Sequence, residues 1–208
     1  MGRPDLTGLV LCGGRSSRMG ADKAALTLHG RTLLERAAAT FDGIAVETLL
    51  ACGASARYED LGLPLVLDRM EGTGPLAGLE AGLARARTPW VAALACDMPR
   101  AAPEAFLALQ DHAIAGNLDL CHLTTEKGVE PLFAVYHRNC LEPVRAALAA
   151  GQRRVVAFHD FPASAGRPLR IGTIHERDLP GALVRRGVAR NVNTPADLTA
   201  EAAAWSPT

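Results

Sequence analysis

Residues Leu11 to Lys23 read LCGGRSSRMGADK, and their types already point to a chemistry. Gly13, Gly14 and Gly20 carry no side chain, so backbone N–H groups there can approach an anion closely. Arg15, Arg18 and Lys23 bring three cations to the same stretch. The apolar Gly8-Leu9-Val10 precedes it, so a short strand should enter a glycine-rich, cationic loop, an arrangement suited to cradling a polyphosphate. Two carboxylates follow at the ends of apolar runs: Asp68 closes PLVLD and Asp97 closes WVAALACD. A carboxylate at the end of a central strand beside a triphosphate loop is placed to hold Mg²⁺. An aspartate just ahead of Pro99 also serves as a cap or turn residue, and Asp68 equally suits the start of a turn. Asn191 and Asn193 stand two apart in an extended stretch, so both amides should point the same way.

The loop is neither of the two commonest phosphate signatures. A P-loop requires G-x-x-x-x-G-K-[ST], but five residues separate Gly14 from Gly20 and Ala21-Asp22 precede Lys23. A dinucleotide fingerprint requires G-x-G-x-x-G, which Gly13-Gly14-Arg15 breaks. Net charge is zero, 22 Lys+Arg against 22 Asp+Glu, which argues against a nucleic acid or membrane surface attracted by bulk charge. Cys12, Cys52, Cys96, Cys121 and Cys140 are widely spaced, odd in number and set mostly in apolar runs, as expected of buried free thiols in a reducing cytoplasm. The six histidines show no metal-ligand spacing. With no 18-residue apolar stretch and no signal-peptide pattern, a soluble cytoplasmic protein is expected.

The elements that must position these residues alternate. Strands are expected at Leu9–Leu11, Ile44–Ala51, Leu65–Leu67, Val91–Ala95, Leu118–Leu123 and Leu132–Tyr136. Helices are expected at Thr32–Phe41, Pro75–Arg87, Pro103–Ala113 and Arg138–Ala150. Continuous apolar strands alternating with helices predict an α/β fold, a mostly parallel sheet in three layers with helices on both faces. The 208 residues should form a single domain that buries about 70% of its unfolded surface. Ligands bind such sheets beyond the carboxyl ends of their strands, so Asp68, Asp97 and the glycine loop should share one rim. Pro75 suits a first helical turn with Gly74 or Thr73 near the cap, and the Gly72–Gly74 backbone is a candidate ligand contact. Leu76, Leu79 and Leu83 form a core stripe, and Gly78 and Gly82 permit close packing or ligand approach. Gly151 reads as the glycine that ends a helix. Thr194, Pro195 and Asp197 read as N-cap, N1 and N3 of another helix. Arg153 and Arg154 form a pair that is usually solvated.

In order and spacing these segments resemble the molybdenum cofactor guanylyltransferases. Their loop, L-A-G-G-x-S-x-R-M-G-x-D-K, is matched at Leu11, Gly13, Gly14, Ser16, Arg18, Met19, Gly20, Asp22 and Lys23, with Cys12 in place of alanine. The family's D-x-P is matched at Asp97-Met98-Pro99 and its G-P-L-A-G-L at Gly74–Leu79. Its E-P-L-x-A-x-Y is matched at Glu130–Tyr136, its G-x-R-R-V at Gly151–Val155 and its N-x-N-T-P-x-D-L at Asn191–Leu198. The resemblance implies a Rossmann-like nucleotidyltransferase that transfers GMP from GTP to the phosphate of molybdopterin and releases pyrophosphate. It implies Arg18, Lys23 and Asp97 as catalytic residues. Nucleotide contacts would come from Leu11, Cys12, Gly13, Gly14, Arg18, Lys23, Asp68, Gly74 and Asp97, with Mg²⁺ on Asp97 and Asn193. Glu130, Arg153, Arg154, Asn191 and Asn193 would face the acceptor. GTP and molybdopterin are the implied partners, with transient contact to cofactor-biosynthesis proteins or target molybdoenzymes, and with no nucleic acid or membrane. The Gly13-Gly14 pair follows the guanine-selective pattern, in which the missing methyl leaves room for the larger base; the cytosine-selective pattern is L-A-A-G. One departure stands out: Leu50-Ala51-Cys52-Gly53 lacks the asparagine that many guanylyl members carry near the end of the second strand. Cytidylyl and sugar-phosphate nucleotidyltransferases of the same fold, or a catalytically silent nucleotide-binding module, are the alternatives.

Overall fold

The computed structural model describes residues 5–13, 22–68 and 74–204. Its strands are β1 (Leu6–Leu11), β2 (Thr27–Leu28), β3 (Arg31–Thr32), β4 (Thr48–Ala51), β5 (Leu65–Val66), β6 (Trp90–Ala95), β7 (Leu120–Thr125), β8 (Gly128–His137) and β9 (Ile171–His175). Its α-helices are α1 (Leu33–Ala39), α2 (Pro75–Arg85), α3 (Pro103–Ala115), α4 (Leu141–Ala149), α5 (Gly181–Arg186) and α6 (Pro195–Ala204). Among the described residues the main sheet has seven strands in the order β5-β4-β1-β6-β8-β7-β9. Strands β5, β4, β1 and β6 run parallel, β8 is antiparallel to both neighbours, and β9 is parallel to β7.

The expected mostly parallel sheet with helices on both faces is therefore present. Side chains alternate along β1: Leu6 and Val10 pack with α1 and α3 (Leu34, Phe106), whereas Leu9 and Leu11 pack with α2 and α4 (Leu79, Val144). The reversal at β8 follows from a short connection. Only Glu126 and Lys127 separate β7 from β8, and Gly128 at φ +110° completes the turn; two residues close a hairpin but cannot make a parallel crossover. That reversal puts the beginning of β8, with Glu130, at the rim where the parallel strands end.

Several boundaries differ from the sequence reading. The second strand begins at Thr48 rather than Ile44, because Ile44 and Ala45 donate to the Phe41 carbonyl and continue the turn that ends α1. Strand β9 was not anticipated: it is a half-exposed edge strand, IGTIH, with no continuous apolar run. The β2–β3 hairpin and α5 are each too short to carry a periodic signal.

Gly74 is the N-cap of α2 at φ +72° with Pro75 at N1, and Gly151 follows α4 at φ +77°, both as expected. Helix α2 lies against β1 through its two internal glycines. A Cβ at Gly82 would stand 2.3 Å from Leu9 Cδ2, and one at Gly78 would stand 3.2 Å from Ala51 Cβ. Of the two roles expected for these glycines, the structure shows close packing. At position 82 helix propensity favours alanine by about 1 kcal/mol, while overpacking a filled core costs about 1–3 kcal/mol. Leu9 is fully buried, so packing should win. Gly82→Ala is expected to lower the urea midpoint; an unchanged or raised midpoint would mean that Leu9 moves aside at no cost.

Candidate functional site

Four parallel strands deliver their ends to one rim. Strand β1 ends into Cys12-Gly13, β4 into Cys52-Gly53, β5 into Leu67-Asp68 and β6 into Cys96-Asp97. The Cys12 and Gly13 amides both donate to the Ala51 carbonyl at 3.0 Å, and the Asp68 amide donates to the Gly53 carbonyl at 2.9 Å, so the strand ends are tied sideways. Gly13 has a structural reason to be glycine. An added Cβ would lie 2.7 Å from the Gly53 backbone nitrogen, so any side chain here would strike the end of β4.

Lys23 opens a single 3₁₀ turn (Lys23–Ala25) capped by Asp22, whose carboxylate accepts from the Ala24 amide at 3.2 Å. From there the ammonium donates to Asp97 Oδ2 at 2.8 Å and to Asn193 Oδ1 at 2.9 Å. Residues 23, 97 and 193 thus meet in one partly buried cluster. An ammonium has three donors, so one remains for a ligand. The C-terminal segment is held by the Val192 amide, which donates to the Asp97 carbonyl at 2.8 Å. Val192 turns the other way, into a small cluster with Leu28 and Leu33. The two asparagines therefore share a side, as their spacing predicts: Asn193 meets Lys23, and Asn191 lies beside the Glu130 carboxylate and favours its charged form. Helix α6 follows, capped by Thr194 and Asp197 and fixed by the buried Glu201, which pairs with Arg100 and with Arg190.

The rim is crowded with oxygen. Asp68 Oδ1, Asp97 Oδ1 and Asn191 Oδ1 are buried with no hydrogen-bond partner among the described residues. Buried acceptors of this kind are rarely left unmatched, and three on one rim suit a hard cation or ligand donors. Burial, reinforced by the Asp97 charge, raises the Glu130 carboxyl above its ordinary range. Burial, with Glu80 nearby, does the same for Asp68. Among the described residues no group of three or more His, Cys, Asp or Glu side chains could hold a metal, so a cation here would draw on Asp97, amide oxygen and ligand phosphate.

The remaining expected residues fall in three places. Gly14 and Arg18 lie outside the described residues, as do Arg15, Ser16, Met19, Gly20, Gly72 and Thr73. Leu11 and Cys12 are buried, while Gly13 is exposed at the rim. Arg153 and Arg154 are exposed on the turn after α4, and the Arg153 carbonyl would stand 3.3 Å from a Cβ on Gly74, which brings that turn to the start of α2. Asn193, expected near the metal, gives its amide oxygen to Lys23.

All five cysteines are free and buried, as expected. Cys12, which stands in place of the expected alanine, touches Cys52 at the end of β4: the two Sγ atoms are 3.3 Å apart. Hydrogen bonding to Cys52 and burial keep the proton on Cys12, while the Cys12 hydrogen bond, with help from Arg57, lowers the Cys52 thiol. The sequence reading missed Arg57 and Tyr58, which reach Asp22 from the loop after β4; they belong to none of the matched motifs.

A mostly parallel sheet whose strand ends gather Gly13, a lysine and carboxylates fits the nucleotidyltransferase class. Residues 8–163 match the MobA-like NTP transferase domain. The chain belongs to the molybdenum cofactor guanylyltransferase family. It is 36% identical over 171 residues to the molybdenum cofactor guanylyltransferase of Burkholderia ambifaria, covering 75% of this chain and 82% of that protein. It is 31% identical over 192 residues to a protein of Pelotomaculum thermopropionicum named as a probable molybdenum cofactor guanylyltransferase, covering 92% and 89%. The fold superimposes on the crystal structure of molybdopterin-guanine dinucleotide biosynthesis protein A from Archaeoglobus fulgidus with a TM-score of 0.78. That match covers 93% of this chain and 95% of the other at 23% identity, and it bears on the fold alone.

A carboxyl whose folded pKa is raised stabilises the fold below its unfolded pKa and loses that contribution as pH rises through the folded value. Glu130 is such a group, so its charge opposes folding at neutral pH. Glu130→Gln, which removes the charge and keeps the size, is expected to melt higher than wild type at pH 7.5 without ligand. The gain should vanish near pH 4, below the ordinary glutamate value. Equal melting temperatures at both pH values would show that the carboxylate carries no electrostatic penalty.

Proposed function

We propose that this protein transfers GMP from GTP to the terminal phosphate of molybdopterin, forming a guanine dinucleotide cofactor and pyrophosphate. The observation that carries this reading is the Lys23 ammonium held between Asp97 and Asn193, with Asp97 Oδ1 buried and unmatched beside it. We take residues 1–208 as one catalytic domain working in the cytoplasm. The buried free thiols fit a reducing compartment, and among the described residues no helix is long and apolar enough to cross a membrane. Transient contact with other cofactor-biosynthesis proteins or target molybdoenzymes fits a product that must be handed on.

The chemistry requires little proton transfer. The acceptor phosphate oxygen is already anionic at neutral pH and attacks the α-phosphorus of GTP. A P–O bond forms as the bond to the bridging oxygen breaks, and pyrophosphate leaves with the electron pair. The difficulty is to bring two anions together in line, and positioned cations meet it. Backbone amides from Gly14 onward would receive the phosphates, as Leu11, Cys12 and Gly13, whose own amide is bonded to the Ala51 carbonyl, shape the base of the loop. Lys23 would place its remaining N–H on the triphosphate, joined by Arg18, and neutralise the departing pyrophosphate. Asn193 would hold Lys23 in line, and Asp68 would contact the nucleoside beside Gly53.

The residues fit Mg²⁺: Asp97 Oδ1 is unmatched while Oδ2 is committed to Lys23, and Asn191 Oδ1 is unmatched nearby. Bound there with the phosphates, Mg²⁺ would supply charge neutralisation across them. Glu130 and Asn191 would border the acceptor. Arg153 and Arg154, beside the Gly74 start of α2, would receive its phosphate.

Thermal stability with Mg²⁺ and each of GTP, CTP, ATP and UTP tests the nucleotide. A ligand at about 100 times its Kd adds roughly 2.7 kcal/mol, a rise of about 5–10 °C in Tm for a chain this size. GTP alone is expected to produce it, and Lys23→Ala to abolish it. In turnover with molybdopterin, Lys23→Ala and Asp97→Ala should each lose about 100-fold or more. A CTP preference would make the protein a cytidylyltransferase, and no response to any triphosphate would remove the enzymatic reading.

A further inference from the structure

The glycine-rich loop leaves the sheet at Cys12-Gly13 and returns at Asp22-Lys23. One side chain outside the loop touches both ends. Arg57 Nη2 donates to the Cys12 carbonyl at 3.2 Å and to the Cys52 carbonyl at 3.1 Å, and Nη1 donates to Asp22 Oδ2 at 3.2 Å. Arg57 thus spans the exit of β1, the exit of β4 and the first residue after the loop. The Tyr58 hydroxyl donates to the same Asp22 oxygen, and the Arg57 guanidinium lies 5.3 Å from the Tyr58 ring centre.

The backbone bears the cost of this arrangement. Tyr58 sits at φ +64°, in the left-handed region that bulky side chains avoid, and such strain of order 1–3 kcal/mol persists only where its surroundings impose it. Burial and hydrogen bonding to Asp22 raise the Tyr58 phenol, so it remains a protonated donor at neutral pH. Asp22 is fixed from three sides, by Arg57, by Tyr58 and by the Ala24 amide it caps. The next residue is Lys23.

We infer that Arg57 and Tyr58 are positioning residues that close the phosphate loop at its neck and, through Asp22, aim Lys23 at the triphosphate. This rests on the nucleotidyltransferase reading of the site. Arginine is the residue the geometry requires. Its planar fork donates to two carbonyls and a carboxylate at once, whereas a lysine ammonium on a flexible stem cannot span all three.

The test compares wild type with Arg57→Ala, Arg57→Lys, Tyr58→Phe and, as a surface control, Arg85→Met, whose ion pair with Glu47 lies away from the rim. GTP affinity with Mg²⁺ and the steady-state rate with molybdopterin are both measured. Arg57→Ala is expected to lose about 10- to 100-fold in kcat while the KM for the acceptor stays unchanged, the scale for residues that orient a catalytic group. Free guanidinium ion at low, non-denaturing concentration should restore part of that rate, whereas a residue needed only for folding would be further weakened by it. Arg57→Lys and Tyr58→Phe should fall between wild type and Arg57→Ala, and Arg85→Met should match wild type. Equal kcat in wild type and Arg57→Ala would overturn the clamp, as would a loss that guanidinium deepens together with a wild-type rate in Arg57→Lys. Failure of the wild-type protein itself to bind any triphosphate would overturn the functional reading instead, and the two failures are distinct.

Discussion

The Lys23 ammonium, shared between Asp97 and Asn193, is the contact on which the rest of the rim depends. Three carboxylates, Asp68, Asp97 and Glu130, gather around the strand ends, and burial works against two of them by raising their pKa values. A partly buried like-charge cluster is costly to assemble without counter-charge. Lys23 meets part of that demand and leaves part unmet, since Asp97 Oδ1 stays unmatched. The rim is therefore left with acidic oxygen that lacks a counter-charge, which is the feature the proposed metal-bound triphosphate would answer.

Holding that cluster requires parts of the chain that lie far apart. Small residues thin the centre of the molecule: β6 is WVAALA, and Gly78 and Gly82 bring α2 down onto β1. The start of α2 is thereby set at the rim beside the turn carrying Arg153. The C-terminal segment reaches the rim through the Val192 amide and is anchored behind it by Glu201, which is fully buried between Arg100 and Arg190. Replacing Glu201 would leave the buried Arg100 without its carboxylate partner, so this pairing helps to specify where the segment with Asn191 and Asn193 lies.

Nucleotide choice appears in a different light in three dimensions. The glycine that marks the guanylyl pattern sits where a methyl would strike the Gly53 backbone, so its first duty is to let β1 and β4 end side by side. The asparagine that many relatives carry near the end of the second strand is absent here, and Cys52 stands against Cys12 in that corner. Asp68, whose amide is bonded to the Gly53 carbonyl, stands at the neighbouring strand end.

The sequence by itself determined the α/β class, the four α-helices of the two outer layers and the identity of nearly every polar residue at the rim. Those signals are local: continuous apolar strands, a glycine loop with cations, and aspartates at strand ends. Its reading of Thr194 and Asp197 as caps and of Asn191 and Asn193 as sharing a side held because capping and two-residue alternation depend on neighbours in the chain. Only the tertiary structure decided which atoms meet. Asn193 met Lys23 across 170 positions of chain, and β9, a half-exposed edge strand, formed through pairing with β7. Arg57 gained its role from contacts with residues 45 positions before it and 35 positions before it. Partnerships across such separations are set by packing and register, which no window of sequence contains.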